Sequence, residues 1–225
     1  MIATLFQVII YFPVFLYYFI TDLFRNRGVH RYPYGVWLYV GLPGTGKTIS
    51  VVEYLQRVKK KFPDIKIYTN FGYEKEDKPI LGWRDLIDYP GPAVFVLDEV
   101  QLTFSSRDWA KFPIEVLTLL TQNRKVRKQI IGTAQSYHRV DKIFRELCNF
   151  IIECKCLAGR WVFQKAFHSD MYELHEDPRR GKPRYRAWRY NFIQMESHRD
   201  KFDTLKRLEA LKEKEYIERV KEEVV

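Results

Sequence analysis

The sequence has few cysteines and lacks the spacings typical of metal sites. Its three cysteines, Cys148, Cys154 and Cys156, form no C-x-x-C pair, and an odd number argues against a disulfide framework. The five histidines show no H-x-x-x-H spacing, which argues against a zinc site. Internal repeats and low-complexity tracts are also missing. The cysteines are therefore interpreted as reduced thiols in a cytoplasmic domain.

Charge is missing from the beginning of the chain. Residues 2–20 hold no charged side chain, although Gln7 and Pro13 interrupt their apolar character. At about 1.5 Å per residue, a helix of this length crosses the ~30 Å of a bilayer's hydrocarbon. Basic residues follow this segment, with Arg25 the first, and none precedes it, which predicts that the rest of the chain is cytoplasmic.

We therefore predict a single-pass membrane anchor over residues 1–22 and a basic linker over residues 23–33. A cleaved signal peptide is one alternative, but it would need a basic start and a small-residue cleavage site, and neither is visible. A buried core helix is the other alternative.

The overall charge favours anionic partners. The 225 residues include 38 Lys and Arg against 28 Asp and Glu, a formal net charge of +10. Nucleic acid and the cytoplasmic leaflet of a membrane are both anionic, so the charge does not choose between them. The length after the anchor suits one catalytic domain, which we predict over residues 34–198.

A glycine-rich loop with the pattern G-x-x-x-x-G-K-T predicts nucleotide binding. An apolar strand-like run, residues 36–40, precedes it, and apolar residues at helical spacing follow it. Glycines let the loop amides point at an anion, Lys47 reaches the β- and γ-phosphates, and the Thr48 hydroxyl ligates Mg²⁺. The sequence therefore predicts ATP or GTP as ligand. The loop consists of Gly41, Leu42, Pro43, Gly44, Thr45, Gly46, Lys47 and Thr48.

Two acids after a buried strand predict hydrolysis. Residues 93–97 form a continuous apolar run that ends in Asp98 and Glu99. This pattern is typical of a strand buried on both faces in a parallel sheet. We expect Asp98 to hold Mg²⁺ and Glu99 to act as general base on the attacking water. The alternative is a strand end whose acids face solvent.

Two further residues are candidates for sensing the γ-phosphate. Gln135 ends a third strand-like run, residues 129–135, and approaches the phosphate if this strand lies between the other two, as does Thr133. The alternative for Gln135 is an amide that caps the next helix. Arg124 follows a predicted helix over residues 114–122 and suits an arginine finger in trans, or else belongs to a basic surface.

Several ordered motifs resemble the zonular occludens toxin (Zot) family, which includes the assembly ATPases of filamentous phages. The resemblance covers roughly residues 34–157, and the motifs occur at compatible spacing. They are Ile67-Tyr68-Thr69-Asn70, Leu97-Asp98-Glu99-Val100-Gln101 followed by Phe104 and Arg107, Gln122-Asn123-Arg124, and Ile131-Gly132-Thr133-Ala134-Gln135.

The resemblance implies a P-loop ATPase of the FtsK/HerA-like group, acting in an inner membrane on phage DNA or a virion. It assigns Gly41, Gly44, Gly46, Lys47 and Thr48 to nucleotide, Asp98 and Glu99 to Mg²⁺ and water, and Arg124 and Gln135 to the γ-phosphate. Asn70 and Arg107 match without an assigned role. Family members commonly place the membrane helix after the ATPase, whereas here the apolar segment comes first.

Beyond residue 150 the sequence predicts two more strands, a basic segment and a charged helix. The strands are expected near residues 150–156 and 160–167, and the helix over residues 199–225. Basic and aromatic residues alternate in segment 179–190, which predicts either a single-stranded DNA contact or an edge strand with basic side chains in solvent. These residues are Arg179, Arg180, Lys182, Arg184, Tyr185, Arg186, Trp188, Arg189 and Tyr190.

The complete interpretation is an α/β P-loop NTPase, with a mainly parallel sheet flanked by helices and one N-terminal transmembrane helix. ATP and Mg²⁺ are the expected cofactors, and a homo-oligomeric ring, expected to be a hexamer, is the expected assembly because arginine fingers act between subunits. We expect ATP hydrolysis to drive virion assembly and extrusion. The alternatives are a DNA-translocating ATPase for packaging or conjugation, and a non-enzymatic nucleotide-gated membrane scaffold.

Overall fold

The computed structural model of the protein describes residues 2–25, 32–82, 84–100, 118, 121–122, 125–176 and 186–201. These residues fall into two units that divide between Arg31 and Tyr32. The first contains helix α1, Ile2–Arg25, whose side chains at positions 10–20 are exposed. In the described part of the chain, no helix reaches the combined length and apolar content needed to cross a bilayer. The membrane-spanning role of α1 stays a prediction.

The second unit is built on an eight-stranded sheet with the order β3-β2-β4-β5-β1-β6-β7-β8. All neighbours from β3 to β6 pair in parallel, and β7 and β8 extend the sheet in antiparallel fashion. This confirms the predicted α/β fold with a mainly parallel sheet. The strands are β1 (Gly35–Val40), β2 (Lys66–Thr69), β3 (Lys78–Pro79), β4 (Ala93–Leu97), β5 (Lys128–Ala134), β6 (Phe150–Leu157), β7 (Trp161–His168) and β8 (Trp188–Ile193).

Helices cover both faces of this sheet. The described residues of the second unit form α2 (Lys47–Lys61), α3 (Arg84–Asp88), α4 (Lys142–Leu147), α5 (Ser169–Glu176), α6 (Glu196–Arg199) and a 3-10 turn (Tyr137–Arg139). Helix α2 packs on one face through Val51, Val52 and Leu55. Phe144 of α4 and Tyr172 of α5 pack on the other face. Both faces of the central strands are therefore buried, as their continuous apolar runs predicted.

Strand β5 separates the strand of the glycine loop from the strand of the acidic pair. All of β1 pairs with β5, with Val40 opposite Ala134. Strand β4 pairs with the other side of β5, with Leu97 opposite Gly132. The order that the sequence analysis expected for these three strands is confirmed. The carboxyl ends of parallel strands meet at one edge of a sheet, so this order brings the residues that follow β1, β4 and β5 together.

Several predicted features lie outside the described residues. They include most of the helix at 114–122, the finger candidate Arg124, the matching residue Arg107 and the segment from 202 to the end of the chain. In the basic segment only residues 186–190 are described, and residues 188–190 begin strand β8. The roles proposed for these features stay predictions.

Candidate nucleotide-binding site

The glycine loop turns sharply between β1 and α2. Gly44 and Gly46 have φ values of 78° and 85°, in the left-handed region that side chains rarely adopt. Gly46 is also crowded, because a Cβ atom there would lie 2.9 Å from Val162 Cγ2 and 3.4 Å from Gln194 Nε2. Glycine is therefore required at position 46 both by the backbone and by the close approach of β7.

The side chain of Lys47 lies folded over its own loop. Only 7% of the residue is exposed, and its Nζ donates to the Leu42 carbonyl oxygen at 3.2 Å. That oxygen also accepts from the backbone N–H of Thr45 at 3.2 Å and from the Thr45 hydroxyl at 2.7 Å. A buried ammonium is held here by a neutral carbonyl, so a phosphate oxygen would be the stronger partner.

The acidic residue Asp98 contacts the glycine loop directly. It is 8% exposed, and its Oδ1 accepts from the Thr48 hydroxyl at 3.1 Å and from the Thr133 hydroxyl at 2.6 Å. The start of α2 and the ends of β4 and β5 thus meet at a single carboxylate oxygen. Of the predicted site residues, the structure brings Thr48 and Asp98 into contact, with Lys47 next in the chain.

The backbone around Asp98 is fixed by Asn70, which follows β2. Asp98 N–H donates to Asn70 Oδ1 at 2.7 Å, and Asn70 Nδ2 donates to the Asp98 carbonyl at 3.2 Å. One amide side chain therefore satisfies both backbone groups of the acidic residue. Sequence reasoning assigned no role to Asn70, because the contact joins residues 28 positions apart through the β2–β4 pairing.

Glu99 adopts a strained backbone conformation. Its φ of 53° is positive, and its N–H donates to the Thr133 hydroxyl oxygen at 2.9 Å. Left-handed conformations of residues other than glycine cost about 1–3 kcal/mol and occur where the surrounding structure imposes them. The Thr133 hydroxyl thus accepts from Glu99 and donates to Asp98, and it holds both acids relative to the loop.

Replacing Thr133 by valine should destabilise the fold measurably. The change preserves shape but leaves Asp98 Oδ1 with one hydrogen bond fewer and Glu99 N–H without its acceptor, at an expected loss of about 1–3 kcal/mol in the free energy of unfolding. Urea denaturation followed by circular dichroism measures this loss. Thr121→Val is the control, because the Thr121 hydroxyl is exposed and donates to the Thr118 carbonyl oxygen. Equal destabilisation of both variants would contradict the role given to Thr133.

A cavity of about 630 Å³ adjoins the glycine loop on the side of β6 and β7. Leu42 and Thr45 of the loop line it together with Gln135, whose Oε1 lies 3.4 Å from the Arg139 guanidinium. Its charged lining residues are Glu153, Lys155, Lys165 and Arg186. Gln135 therefore lies beside the loop, as expected from its place after β5, while its role as a phosphate sensor stays a prediction.

Two buried residues, Cys154 and Ser50, lie next to the glycine loop. The Cys154 thiol lies 3.7 Å from the Ser50 hydroxyl, which donates to the Gly46 carbonyl at 2.6 Å. Burial raises the pKa of Cys154 to about 12, so this thiol stays protonated at neutral pH. Cys154 therefore acts as a small apolar residue that supports the first turn of α2.

The residues present fit a magnesium nucleotide. Thr48 Oγ1 and Asp98 Oδ1 are oxygen donors, the ligand type that Mg²⁺ prefers, and they already lie 3.1 Å apart. Gly44 and Gly46 leave the loop free of side chains that would block its amides. Thr48 and Asp98 would hold the metal, and Lys47 and the loop amides would hold the phosphates.

The comparison with protein families shows to which family this chain is related. The family model described as zonular occludens toxin (Zot) matches residues 72–190, more than half of the chain. The chain belongs to the zonular occludens toxin family. The resemblance predicted from the motifs is thereby confirmed, and the matched region contains Asp98, Glu99 and Thr133. No curated protein matches this Zot-family chain.

One solved structure shows the same fold. The N-terminal domain of zonular occludens toxin from Neisseria meningitidis is similar over 75% of this chain and 98% of its own, with a TM-score of 0.51 at 16% identity. The DNA-packaging ATPase B204 from Sulfolobus turreted icosahedral virus is similar over 60% of this chain and 93% of its own, with 14% identity and a TM-score of 0.45. The first likeness supports the P-loop NTPase fold. The TM-score of the second is too low to support an argument.

Proposed function

We propose that this Zot-family protein is a membrane-anchored ATPase that couples ATP hydrolysis to the assembly and extrusion of a filamentous virion. The observation that carries the proposal is the 3.1 Å contact between Thr48 Oγ1 and Asp98 Oδ1, which joins the glycine loop to the acidic pair. A strained, positioned glutamate next to such a junction suits hydrolysis better than binding alone.

The proposed mechanism gives each residue a separate task. Lys47 leaves the Leu42 carbonyl and binds the β- and γ-phosphates, while the loop amides hold the same oxygens. Thr48 and Asp98 would hold Mg²⁺, which would supply positive charge that offsets the charge developing on the phosphates. Glu99 accepts the proton of the attacking water, and Gln135 contacts the γ-phosphate.

We further propose a ring, expected to be a hexamer, in which Arg124 reaches the γ-phosphate of the neighbouring subunit. An arginine suits this contact because its planar fork donates two hydrogen bonds to one phosphate. Mixing Arg124→Ala subunits with Lys47→Ala subunits should restore part of the activity, since each variant can supply what the other lacks. No recovery in the mixture, with both variants folded, would reject the contact in trans.

Helix α1 is the proposed membrane anchor. Its described side chains between positions 10 and 20 are apolar or aromatic and exposed, among them Ile10, Phe12 and Phe15. Basic residues follow the helix, which would keep the ATPase unit in the cytoplasm beside the inner membrane. Detergent extraction and protease protection of the full chain in membrane vesicles test this placement.

The ATPase proposal is tested with the full chain purified in detergent. Phosphate release is measured with Mg²⁺-ATP, alone and with single- or double-stranded DNA. Turnover that depends on Mg²⁺ and not on DNA supports a motor for virion assembly. Strong stimulation by DNA favours the translocating ATPase, and ATP binding without turnover, including in reconstituted membranes, favours the scaffold.

A further inference from the structure

One face of the antiparallel extension of the sheet carries exposed or partly exposed aromatic and basic side chains. Side chains alternate between faces along a strand, and Val162, Gln164 and Ala166 are buried on one side of β7. The opposite set on the three strands is called the outer face. Its residues are Glu153, Lys155 and Leu157 of β6, Trp161, Phe163 and Lys165 of β7, and Arg189, Asn191 and Ile193 of β8. Phe167 shares this side of β7 and is buried against Tyr172 of α5.

The register arranges the outer face in rows across the strands. Leu157, Trp161 and Ile193 form one row, Lys155, Phe163 and Asn191 form the next, and Glu153, Lys165 and Arg189 form the third. Strands lie about 4.8 Å apart, and successive rows about 6.7 Å apart, so the three rows span roughly 10–15 Å. A lysine therefore lies beside Phe163, and two cations and one acid occupy the row beyond it.

The two aromatic rings of the outer face pack against each other, and Trp161 is the more exposed of them. Trp161 is 42% exposed, its indole N–H donates to Asn191 Oδ1 at 3.1 Å, and its ring lies 4.7 Å from that of Phe163. The hydrogen bond satisfies the polar edge of the indole and fixes its orientation. A flat partner can therefore stack on it with little additional loss of side-chain entropy.

The cations of the outer face outnumber Glu153, its one acid among the described residues. No salt bridge in that part of the chain includes Lys155, Lys165 or Arg189, and the acid beside Lys165 is Glu153, which accepts a hydrogen bond from the Tyr172 hydroxyl. Lysine and unpaired charge are depleted in the cores of protein–protein interfaces. Rings flanked by unpaired cations suit a polyanion with flat bases.

We propose that the outer face binds single-stranded nucleic acid, with bases stacked on Trp161 and Phe163 and phosphates on Lys155, Lys165 and Arg189. The inference extends the proposed function by naming its nucleic-acid contact, and it rests on that function only for the identity of the cargo.

The structure distinguishes this contact from the one predicted in the basic segment. Trp188 packs against Trp37, with ring centroids 6.1 Å apart, and the Tyr190 hydroxyl donates to Glu53 at 2.7 Å. The Arg57 guanidinium lies 4.3 Å from the centre of the Tyr190 ring. Both rings thus face α2, and the described aromatics available for stacking are those of β7.

The outer face also leads to the glycine loop. Lys155 and Lys165 line the cavity next to Leu42 and Thr45, and Arg186 lines its rim from the chain before β8. A strand bound on the outer face could therefore run towards the nucleotide site. Phosphates crossing the cavity would meet three basic side chains.

Binding is tested with the full chain in detergent, without ATP, by fluorescence anisotropy of a labelled oligothymidylate of about 20 nucleotides, longer than the ~4–16 nucleotides that one binding domain covers. Trp161→Ala should weaken binding roughly 5- to 150-fold, and Trp161→Phe should retain most of the affinity. Oligodeoxyuridylate and oligouridylate run in parallel identify the sugar, because they differ only in the 2′-hydroxyl. Tighter binding of the deoxy strand assigns DNA, and equal binding assigns a face that reads bases and phosphates alone.

The charge contribution is tested with the double variant Lys155→Gln, Lys165→Gln. The slope of log affinity against log salt should fall by about 1.4, since each neutralised phosphate of a single strand contributes about 0.7. Lys60→Gln is the matched control, because Lys60 is an exposed lysine on α2, which covers the opposite face. Its slope should remain that of the wild type.

Two results would overturn the inference. If folded Trp161→Ala and the double-lysine variant bind the oligonucleotide as tightly as the wild type, nucleic acid does not bind this face. If those variants also show a smaller mass by light scattering, the face is a contact between copies of the chain. The Lys47→Ala variant separates this test from the ATPase proposal. Oligonucleotide binding is measured without ATP, so it should persist in this variant. It should also persist if the wild type proves not to hydrolyse ATP.

Discussion

Replacing Glu99 by glutamine should reduce ATP turnover by roughly 10²–10⁴-fold while ATP binding persists. Glutamine has the same shape but cannot accept the proton of the attacking water, and removal of a general base typically has an effect of this size. The Glu99 N–H still bonds the Thr133 hydroxyl, so the backbone conformation should remain. Phosphate release measures turnover, and equilibrium binding of a fluorescent ATP analogue measures affinity.

The control for this prediction is Glu146→Gln, an exposed glutamate of α4 that pairs with Lys142. It should hydrolyse ATP at the wild-type rate. Turnover by Glu99→Gln within a few-fold of wild type would reject Glu99 as the base, and loss of nucleotide affinity in the same variant would indicate a binding role.

Replacing Lys47 by alanine should abolish both tight nucleotide binding and turnover, with a loss of catalysis of at least about 10²–10³-fold. The fold should survive, because the Leu42 carbonyl keeps two donors from Thr45 after the ammonium is removed. A buried cation is also removed from its neutral partner, which further limits the loss of stability.

Thermal unfolding with and without Mg²⁺-ATP measures the loss of nucleotide binding in Lys47→Ala. A ligand present at about 100 times its dissociation constant stabilises a protein by about 2.7 kcal/mol, so the wild-type melting temperature should rise and that of Lys47→Ala should not. Lys60→Ala changes an exposed lysine of the same helix and should respond to nucleotide as the wild type does. A nucleotide-dependent rise in Lys47→Ala would contradict the assignment.

A continuous apolar run was sufficient to predict β4, and an apolar run followed by the glycine loop predicted β1, because both faces of these strands are buried. The position of β5 between the other two was a condition for the role of Gln135, and the register meets it. Asn70 received no role because its value depends on the pairing of β2 with β4, which one sequence does not determine. A two-residue edge strand such as β3, Lys78–Pro79, also has no periodic signal.

The outer face could not be predicted from pattern alone. In β7 the general rule would bury the large rings of Trp161 and Phe163, whereas the structure buries Val162, Gln164 and Ala166 instead. The reason is tertiary. The buried side of β7 approaches the glycine loop and α2 so closely that small side chains fit better there, with Val162 next to Gly46.

Strand β7 therefore contacts the glycine loop through Val162 and presents Trp161 and Phe163, the residues on either side, to the outer face. The nucleotide site and the outer face therefore share one hydrogen-bonded strand. If nucleotide changes the affinity of the outer face for a polynucleotide by some factor, thermodynamic linkage requires the polynucleotide to change nucleotide affinity by the same factor. Strand β7 would then couple nucleotide binding to polynucleotide binding.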